Sequence, residues 1–345
     1  PELNPDTAKR EARRHTLAEV TEIAARYYQD QLASPLGNDA RAYLKGRGLG
    51  ADAIGRYRIG VSPDARSALK QFLAGKGVDQ ELMVEAGLIV AGDDIPVSYD
   101  RFRNRVMVPI TDEKDRVLSF GGRTLGDSRA KYLNGPETAL FSKGRVLFNG
   151  PSARKAAWDG SPVIAVEGYM DVITPSLHGF PAACAPMGTA ITADQLLLLW
   201  RMDERPVLCL DGDSAGQKAM ARTMETALPL LTAGRSLGFA IMPNGFDPDR
   251  LVRQRGPEAL ARVVGAPQSF ADALWTRETA GQSFGSPETR AGLEAKVMAA
   301  VDLIGDKTLR SAYRSDMRDR LKSMRTRPRI YRANGVSQHS TSPGA

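Results

Sequence analysis

Apolar residues recur along this chain in two rhythms, and the change from one to the other divides it. Leu17, Val20, Ile23, Ala24, Tyr27 and Tyr28 return at three- and four-residue steps, which predicts an amphipathic helix over 8–33, closed by Ser34-Pro-Leu-Gly. A second short helix is predicted from Ala40 to Leu49, stopped by its glycines. Small mixed pieces follow: Ile54–Gly60, helices over 68–75 and 79–86, and an extended Leu88–Val90. Arg105–Ile110 and Val117–Phe120 are apolar runs on either side of Asp112-Glu-Lys-Asp115, the pattern of a hairpin with a charged turn.

From 163 the rhythm becomes strand and helix in turn. The runs 163–168, 182–185, 207–210 and 237–242 are too continuously apolar to have one wet face, so they predict parallel strands buried on both sides. Right-handed crossover connections are expected between them. Thr192-Ala-Asp-Gln195 has the spacing of a capping box opening the helix that carries Leu196–Arg201. A long helix is predicted from Asp211-Gly-Asp-Ser-Ala-Gly to about Leu231. Beyond 249 the chain turns helical: Ser286-Pro caps a helix with the stripe Leu293, Val297, Val301 and Ile304, and Thr308–Met324 forms another, rich in Arg. Residues 327–345 lack periodicity and read as a disordered tail.

Three of the apolar runs stop abruptly at carboxylates. The first leads into Glu167-Gly-Tyr-Met-Asp171, the second into Asp211-Gly-Asp213, and the third, by a longer turn, into Asp247-Pro-Asp249. Ligands of open parallel sheets bind at the carboxyl ends of the strands, so six acids are expected on one rim. Like charges at that density require a cation between them, and an all-oxygen donor set suits Mg²⁺ or Mn²⁺. Asp171 could instead cap the helix that follows it, and Asp247 and Asp249 could be structural, since Asp-Gly and Asp-Pro also form turns.

Charge adds a second candidate surface. The formal net charge is +7, and Arg101–Gly160 holds twelve Lys/Arg against six Asp/Glu. Within it, Gly121-Gly-Arg-Thr-Leu, Lys131-Tyr-Leu-Asn-Gly-Pro-Glu-Thr and Phe141-Ser-Lys-Gly-Arg are expected as loops. Their paired glycines would let backbone approach a ligand, and their Arg and Lys would meet phosphate. A basic groove beside an acidic metal site is the layout of an enzyme acting on a polyanion; the rival reading is a solvated charged face or a non-catalytic nucleic-acid-binding module. Cys184 and Cys209 fall in strands, so no disulfide framework or cysteine-rich zinc module is expected. No apolar run is long enough to span a membrane and no signal peptide is visible, which leaves a cytoplasmic location as the expectation. His15, His178 and His339 show no ligand spacing.

Glu-Gly-Tyr-Met-Asp, Asp-Gly-Asp-Ser-Ala-Gly and Asp-Pro-Asp, in that order, resemble the three acidic motifs of the Toprim domain, shared by bacterial primases, topoisomerases, OLD-type nucleases and RecR-type repair proteins. Upstream, Arg101-Phe-Arg-x-Arg-Val-Met-x-Pro-Ile110, Phe120-Gly-Gly-Arg123, Lys131-Tyr-Leu-Asn-x-Pro-Glu-Thr138, Lys143-Gly-Arg and Tyr43-Leu-Lys-Gly-Arg-Gly-Leu49 resemble the catalytic core of DnaG-type bacterial primase over about residues 16–260. That resemblance implies an α/β fold. A Rossmann-like Toprim parallel sheet (161–256) would be flanked by an N-terminal mixed α/β subdomain carrying the basic groove (1–160) and a C-terminal helical subdomain (257–326), followed by the tail (327–345). It implies nucleotidyl transfer with two or more Mg²⁺ or Mn²⁺ ions and no zinc. Glu167, Asp211 and Asp213 would be catalytic, Glu167 as metal contact or base, with Asp171, Asp247 and Asp249 as further metal acids. Arg47, Arg101, Arg103, Arg123, Lys131, Tyr132, Asn134 and Lys143 would bind template or nucleotide. The implied partners are single-stranded DNA, ribonucleoside triphosphates, the nascent RNA primer, a DnaB-type replicative helicase and single-strand-binding protein. The implied setting is a monomer at the bacterial nucleoid. Full-length members carry an N-terminal zinc module and a C-terminal helicase-binding domain; neither is recognisable here. A nuclease- or topoisomerase-like Toprim enzyme is the alternative, although no partner domain with a nucleophilic Tyr is recognisable.

Overall fold

Two sheets organise the chain, seen in a computed structural model that describes residues 5–126, 130–188, 190–282 and 284–326. The predicted tail at 327–345 lies outside the described residues, as does His339. Helix α1 (Pro5–Ala33) lays Leu17, Val20, Ala24 and Tyr28, all buried, across the first sheet. Tyr28 meets Phe120 edge-on, with ring centroids 5.3 Å apart. The buried Thr21 hydroxyl donates to the Val117 carbonyl at 2.6 Å, so the helix is tied to the sheet by a satisfied polar contact as well as by apolar packing. α2 (Asn38–Gly46), α3 (Ala51–Arg56), β1 (Gly60–Ser62), α4 (Ala68–Gly75), α5 (Gln80–Glu85) and the ribbon β2 (Ile89–Val90) with β3 (Tyr99–Asp100) follow.

β4 (Arg105–Thr111) and β5 (Val117–Thr124) form the predicted hairpin, but it is longer than expected. Gly121–Thr124 and Tyr132–Asn134, expected as ligand-binding loops, are instead the end of β5 and the strand β6 (Tyr132–Asn134), giving an antiparallel sheet in the order β1-β4-β5-β6. The paired glycines make room for the protein itself. A Cβ on Gly121 would lie 2.1 Å from the Tyr169 ring, and one on Gly122 would lie 2.9 Å from Arg105 Cδ.

The second sheet runs β12-β11-β10-β8-β9-β7. Its inner strands are β8 (Ile164–Ala165), β9 (Ala183–Pro186), β10 (Val207–Leu210) and β11 (Gly238–Ile241), mutually parallel as predicted, though β8 is shorter than the expected 163–168. Two-residue antiparallel strands close the edges: β7 (Leu147–Phe148) beside β9, and β12 (Gln268–Ser269) beside β11. Both faces are covered, which explains the continuous apolar runs. Ile164, Ala183, Cys209 and Ala240 pack towards the first sheet. Ala165, Cys184, Leu208 and Phe239, one residue out of phase, pack under the helices of the other layer. That layer includes α6 (Gly150–Trp158), α8 (Ala193–Met202) and α9 (Ser214–Ala227); α7 (Tyr169–Leu177) lies between β8 and β9 in sequence and packs on the opposite side with α10 (Pro248–Arg255) and α11 (Pro257–Val264). The capping box at Thr192 and Gln195 is formed, an arrangement worth about 1 kcal/mol. α12 (Phe270–Thr279), α13 (Pro287–Asp302) and α14 (Lys307–Thr326) complete the helical end, with Leu293, Val297, Val301 and Ile304 buried in its core as the stripe predicts.

Candidate active site

The acids gather where the parallel strands stop, but they are not equivalent. Glu167 is exposed two residues past β8, and Asp211 directly follows β10. Gly212 lets the chain pass the Met242 carbonyl, which a Cβ would approach to 2.2 Å. Asp213 caps α9, its Oδ1 accepting from the N–H groups of Ala215 at 2.8 Å and Gly216 at 2.9 Å. Asp247 caps α10, accepting from Arg250 N at 2.6 Å. The positive ends of both helices therefore face the acid cluster. Asp171 stands in the first turn of α7 and accepts from the Asp249 N–H at 3.2 Å.

Asp249 follows the structural one of its two expected roles and departs from the metal-ligand one. It is 1% exposed, and its carboxylate takes Arg47 at 2.5 Å, Arg253 at 2.9 and 3.0 Å, and the Thr174 hydroxyl at 2.7 Å. A carboxylate with its lone pairs so occupied is a structural anchor, not an open metal ligand. The same contact commits Nη1 of Arg47 to this anchor, joining α2 to α10.

Three of the remaining acids, Asp171, Asp211 and Glu167, are pushed toward the protonated form, chiefly by burial. Burial, reinforced by Asp247, Asp249 and Asp211, pushes the Asp171 carboxyl up to about 8, and burial with Glu167, Asp247 and Asp213 pushes Asp211 up to about 6. Glu167 is also raised, first by desolvation and then by Asp213, while the Asp211 backbone N–H and Arg222 pull it down. Oxygen donors held up by one another are the set that a hard divalent cation relieves. Among the described residues, no group of three or more His, Cys, Asp or Glu lies close enough to hold a metal alone. Mg²⁺ in general keeps several waters and is commonly held by one or two carboxylates plus substrate phosphate.

Glu167 looks across a cleft of about 540 Å³. The near wall is Glu167, Gly168, Tyr169 and the loop after β9 at Met187 and Gly188; the far wall is Tyr132 and Asn134 of β6 with Lys143. The predicted cations divide here. Lys143 lines the cleft, and the exposed Lys131 stands beside it with its ammonium 5.8 Å from the Tyr132 ring centre. Arg123 lies over Tyr43, 4.1 Å from the ring centre, and donates to the Thr124 carbonyl at 2.8 Å. Arg103 is exposed and sits over Tyr99 at 5.4 Å. Arg101 is half-buried, and burial lowers its pKa. Tyr132 is 42% exposed, enough to offer a face to a base. Arg222, which sequence reasoning missed, lines a second recess of about 300 Å³ that also includes Glu167, with Ala215, Ala219 and Thr223. The spacing 215, 219, 222 on α9 marks one helix face and was the signal for it. Tyr169 and Met187 were missed as well.

A parallel sheet with acids at its strand ends, facing a second sheet that carries the cations, defines the class: an α/β Toprim enzyme core. Residues 161–237 match the Toprim domain, and residues 27–154 match the DNA primase catalytic core, N-terminal domain. The DNA primase of Escherichia coli strain K12 is 37% identical over 308 residues, which are 89% of this chain and 53% of that protein. The solved structure of a DnaG primase catalytic domain bound to ssDNA superposes with a TM-score of 0.81 at 36% identity, covering 90% of this chain and 99% of that one. A DNA primase domain from Pseudomonas aeruginosa gives 0.82 at 37% identity, covering 89% and 95%. The chain belongs to the family of DnaG-type primase catalytic cores. It spans about half the length of the curated relatives it matches. The match of 27–154 to the primase N-terminal domain does not favour the nuclease and topoisomerase alternatives. Among the described residues no helix is long and apolar enough to cross a membrane.

Proposed function

We propose that this chain synthesises RNA primers on single-stranded DNA from ribonucleoside triphosphates, joining a 3′ hydroxyl to the α-phosphate with release of pyrophosphate. The observation that carries this reading is the cleft with the strand-end carboxylate Glu167 on one wall and Lys143 and Tyr132 on the other, with Lys131 beside Tyr132. Glu167 and Asp211 would hold Mg²⁺ or Mn²⁺, with Asp213, Asp171 and Asp247 around them. Bound cations would supply charge neutralisation at the reacting phosphate and a more acidic attacking hydroxyl. Glu167, with its raised pKa, is also placed to take that proton. Lys131 and Lys143 attract phosphates of strand or triphosphate, and Tyr132 offers a stacking face. Arg103 and Arg123 extend the cationic side, while Arg101 supports it from within.

The solved relative bound to ssDNA supports single-stranded DNA as the template. A replicative helicase and single-strand-binding protein, and action at the bacterial nucleoid, belong to the same reading. We divide the chain at 1–160, 161–256 and 257–326, with β7 and β12 lent to the central sheet from either side. The test is synthesis on plain single-stranded template with four ribonucleotides, with and without Mg²⁺ or Mn²⁺. The expected outcome is cation-dependent RNA product that disappears in Glu167→Gln. No product from an annealed primer under any cation would overturn the reading.

A further inference from the structure

Asn134 lines the cleft, yet both ends of its amide are used inside the protein. Nδ2 donates to the Met187 carbonyl at 2.9 Å, and Oδ1 accepts from the Tyr169 hydroxyl. Asn134 ends β6 of the first sheet, whereas Tyr169 opens α7 two residues after Glu167 and Met187 directly follows β9. One amide thus ties the cationic wall to two segments of the acidic wall. The Tyr169 ring is fixed as firmly as its hydroxyl. It is 7% exposed, meets Phe148 edge-on at 4.9 Å and 83°, and lies over Gly121 in the space that any Cβ there would fill. Burial raises the phenol pKa, so the hydroxyl stays a neutral donor.

We propose that Tyr169, Asn134 and the slot at Gly121 form a positioning latch that sets the spacing between the strand-holding wall and Glu167. The proposal rests on the primer-synthesis reading. A strand bound on one wall and reacted at the other is productive only when the walls are in register, and small misplacements of reacting groups are costly in rate. None of the three latch residues needs to touch substrate. The latch accounts for two sequence features that nucleic-acid contact leaves unexplained: an asparagine with no free amide atom, and a glycine in mid-strand, where glycine weakens a sheet unless something must approach closely.

The experiment uses Tyr169→Phe, which keeps the ring and removes the hydroxyl, Asn134→Leu, and the two combined. Hydrogen exchange should quicken about three- to ten-fold in peptides covering 119–126, 130–134 and 183–188, as expected for losing one buried hydrogen bond, while α1 exchanges as before. In primer extension at saturating template, kcat should fall about three- to ten-fold, with single-strand affinity and Tm nearly unchanged. That split separates positioning from general weakening of the fold. The double variant should lose no more than Asn134→Leu alone, because that substitution already removes the Tyr169 contact together with the Met187 one. Unchanged exchange, or faster exchange with unchanged kcat, or losses that multiply, would overturn the latch. If the unaltered chain makes no RNA, the primer-synthesis reading fails by itself, and the exchange result still decides whether the contact holds the walls together.

Discussion

The two walls of the cleft are built on opposite principles. On the acidic wall the backbone places the charges: short strands buried on both faces end at one level, and α9 and α10 begin beside the acids, so Asp211, Asp213 and Asp247 are set by strand ends and caps. On the cationic wall side-chain bonding decides. Arg105 donates to the carbonyls of Gly122 and Ala130, Arg123 rests on Tyr43, and Arg47 pairs with Asp249. Of the basic residues in Arg101–Gly160, Arg105 and Arg123 are therefore committed within the protein, as Arg47 is outside that segment, and Lys143 lines the cleft with Lys131 beside Tyr132. A charge excess along a segment is a statement about the segment, not a count of phosphate ligands.

This contrast can be broken in steps of decreasing size. Asp211→Asn should lower RNA synthesis by about 10³-fold, the scale seen when one electrostatic contact to a reacting centre is removed. Its affinity for single-stranded DNA should hold or rise slightly, since a negative charge is gone. Lys143→Ala should do the reverse, weakening binding and reducing the salt slope by about 0.7 for one lost phosphate contact.

Arg47→Met tests the anchor between the walls. Asp249 would keep Arg253 and Thr174 but lose its contact from α2, so urea denaturation should show a loss of about 1–3 kcal/mol. An arginine that served only template would instead change the salt slope and leave stability alone.

The smallest expected effect concerns pH. The Asp171 carboxyl is pushed from 3.8 up to about 8 in the folded chain. Between those values the folded chain keeps a proton that the unfolded chain has released. The stabilisation is complete at low pH and is lost as pH rises through about 8. In the presence of chelator, Asp171→Asn should flatten the fall in Tm between pH 5 and pH 8.5, leaving the variant roughly 2 °C or more ahead at the upper end. A Tm profile unchanged by the substitution would show that Asp171 titrates normally.

What sequence made legible follows from the same contrast. Val163–Val166, Val207–Leu210 and Phe239–Met242 announce themselves because both faces of each strand are buried, and the acids that end them inherit that clarity. Thr192 and Gln195 are legible because a capping box is local. Gly121–Thr124 was not legible as strand, because the glycine pair breaks apolar alternation and its purpose lies in Tyr169, distant in sequence. β7 and β12 were hidden because two residues carry no period. The contact between Asp249 and Arg47 was not legible, since the bond that joins them spans 202 positions. Local pattern reports what a residue can do, and distant partners decide which option is used.

The most direct test of a division of labour between the walls is single-turnover extension of an annealed primer at saturating template, comparing the unaltered chain with Glu167→Gln and Lys143→Ala. Saturation removes any deficit in holding the strand. The account predicts that Lys143→Ala recovers to within a few-fold of the unaltered rate, whereas Glu167→Gln remains about 10³-fold slower with its template fully bound. A Glu167→Gln variant that extends at the unaltered rate, or a Lys143→Ala variant that stays equally slow at saturation, would contradict it.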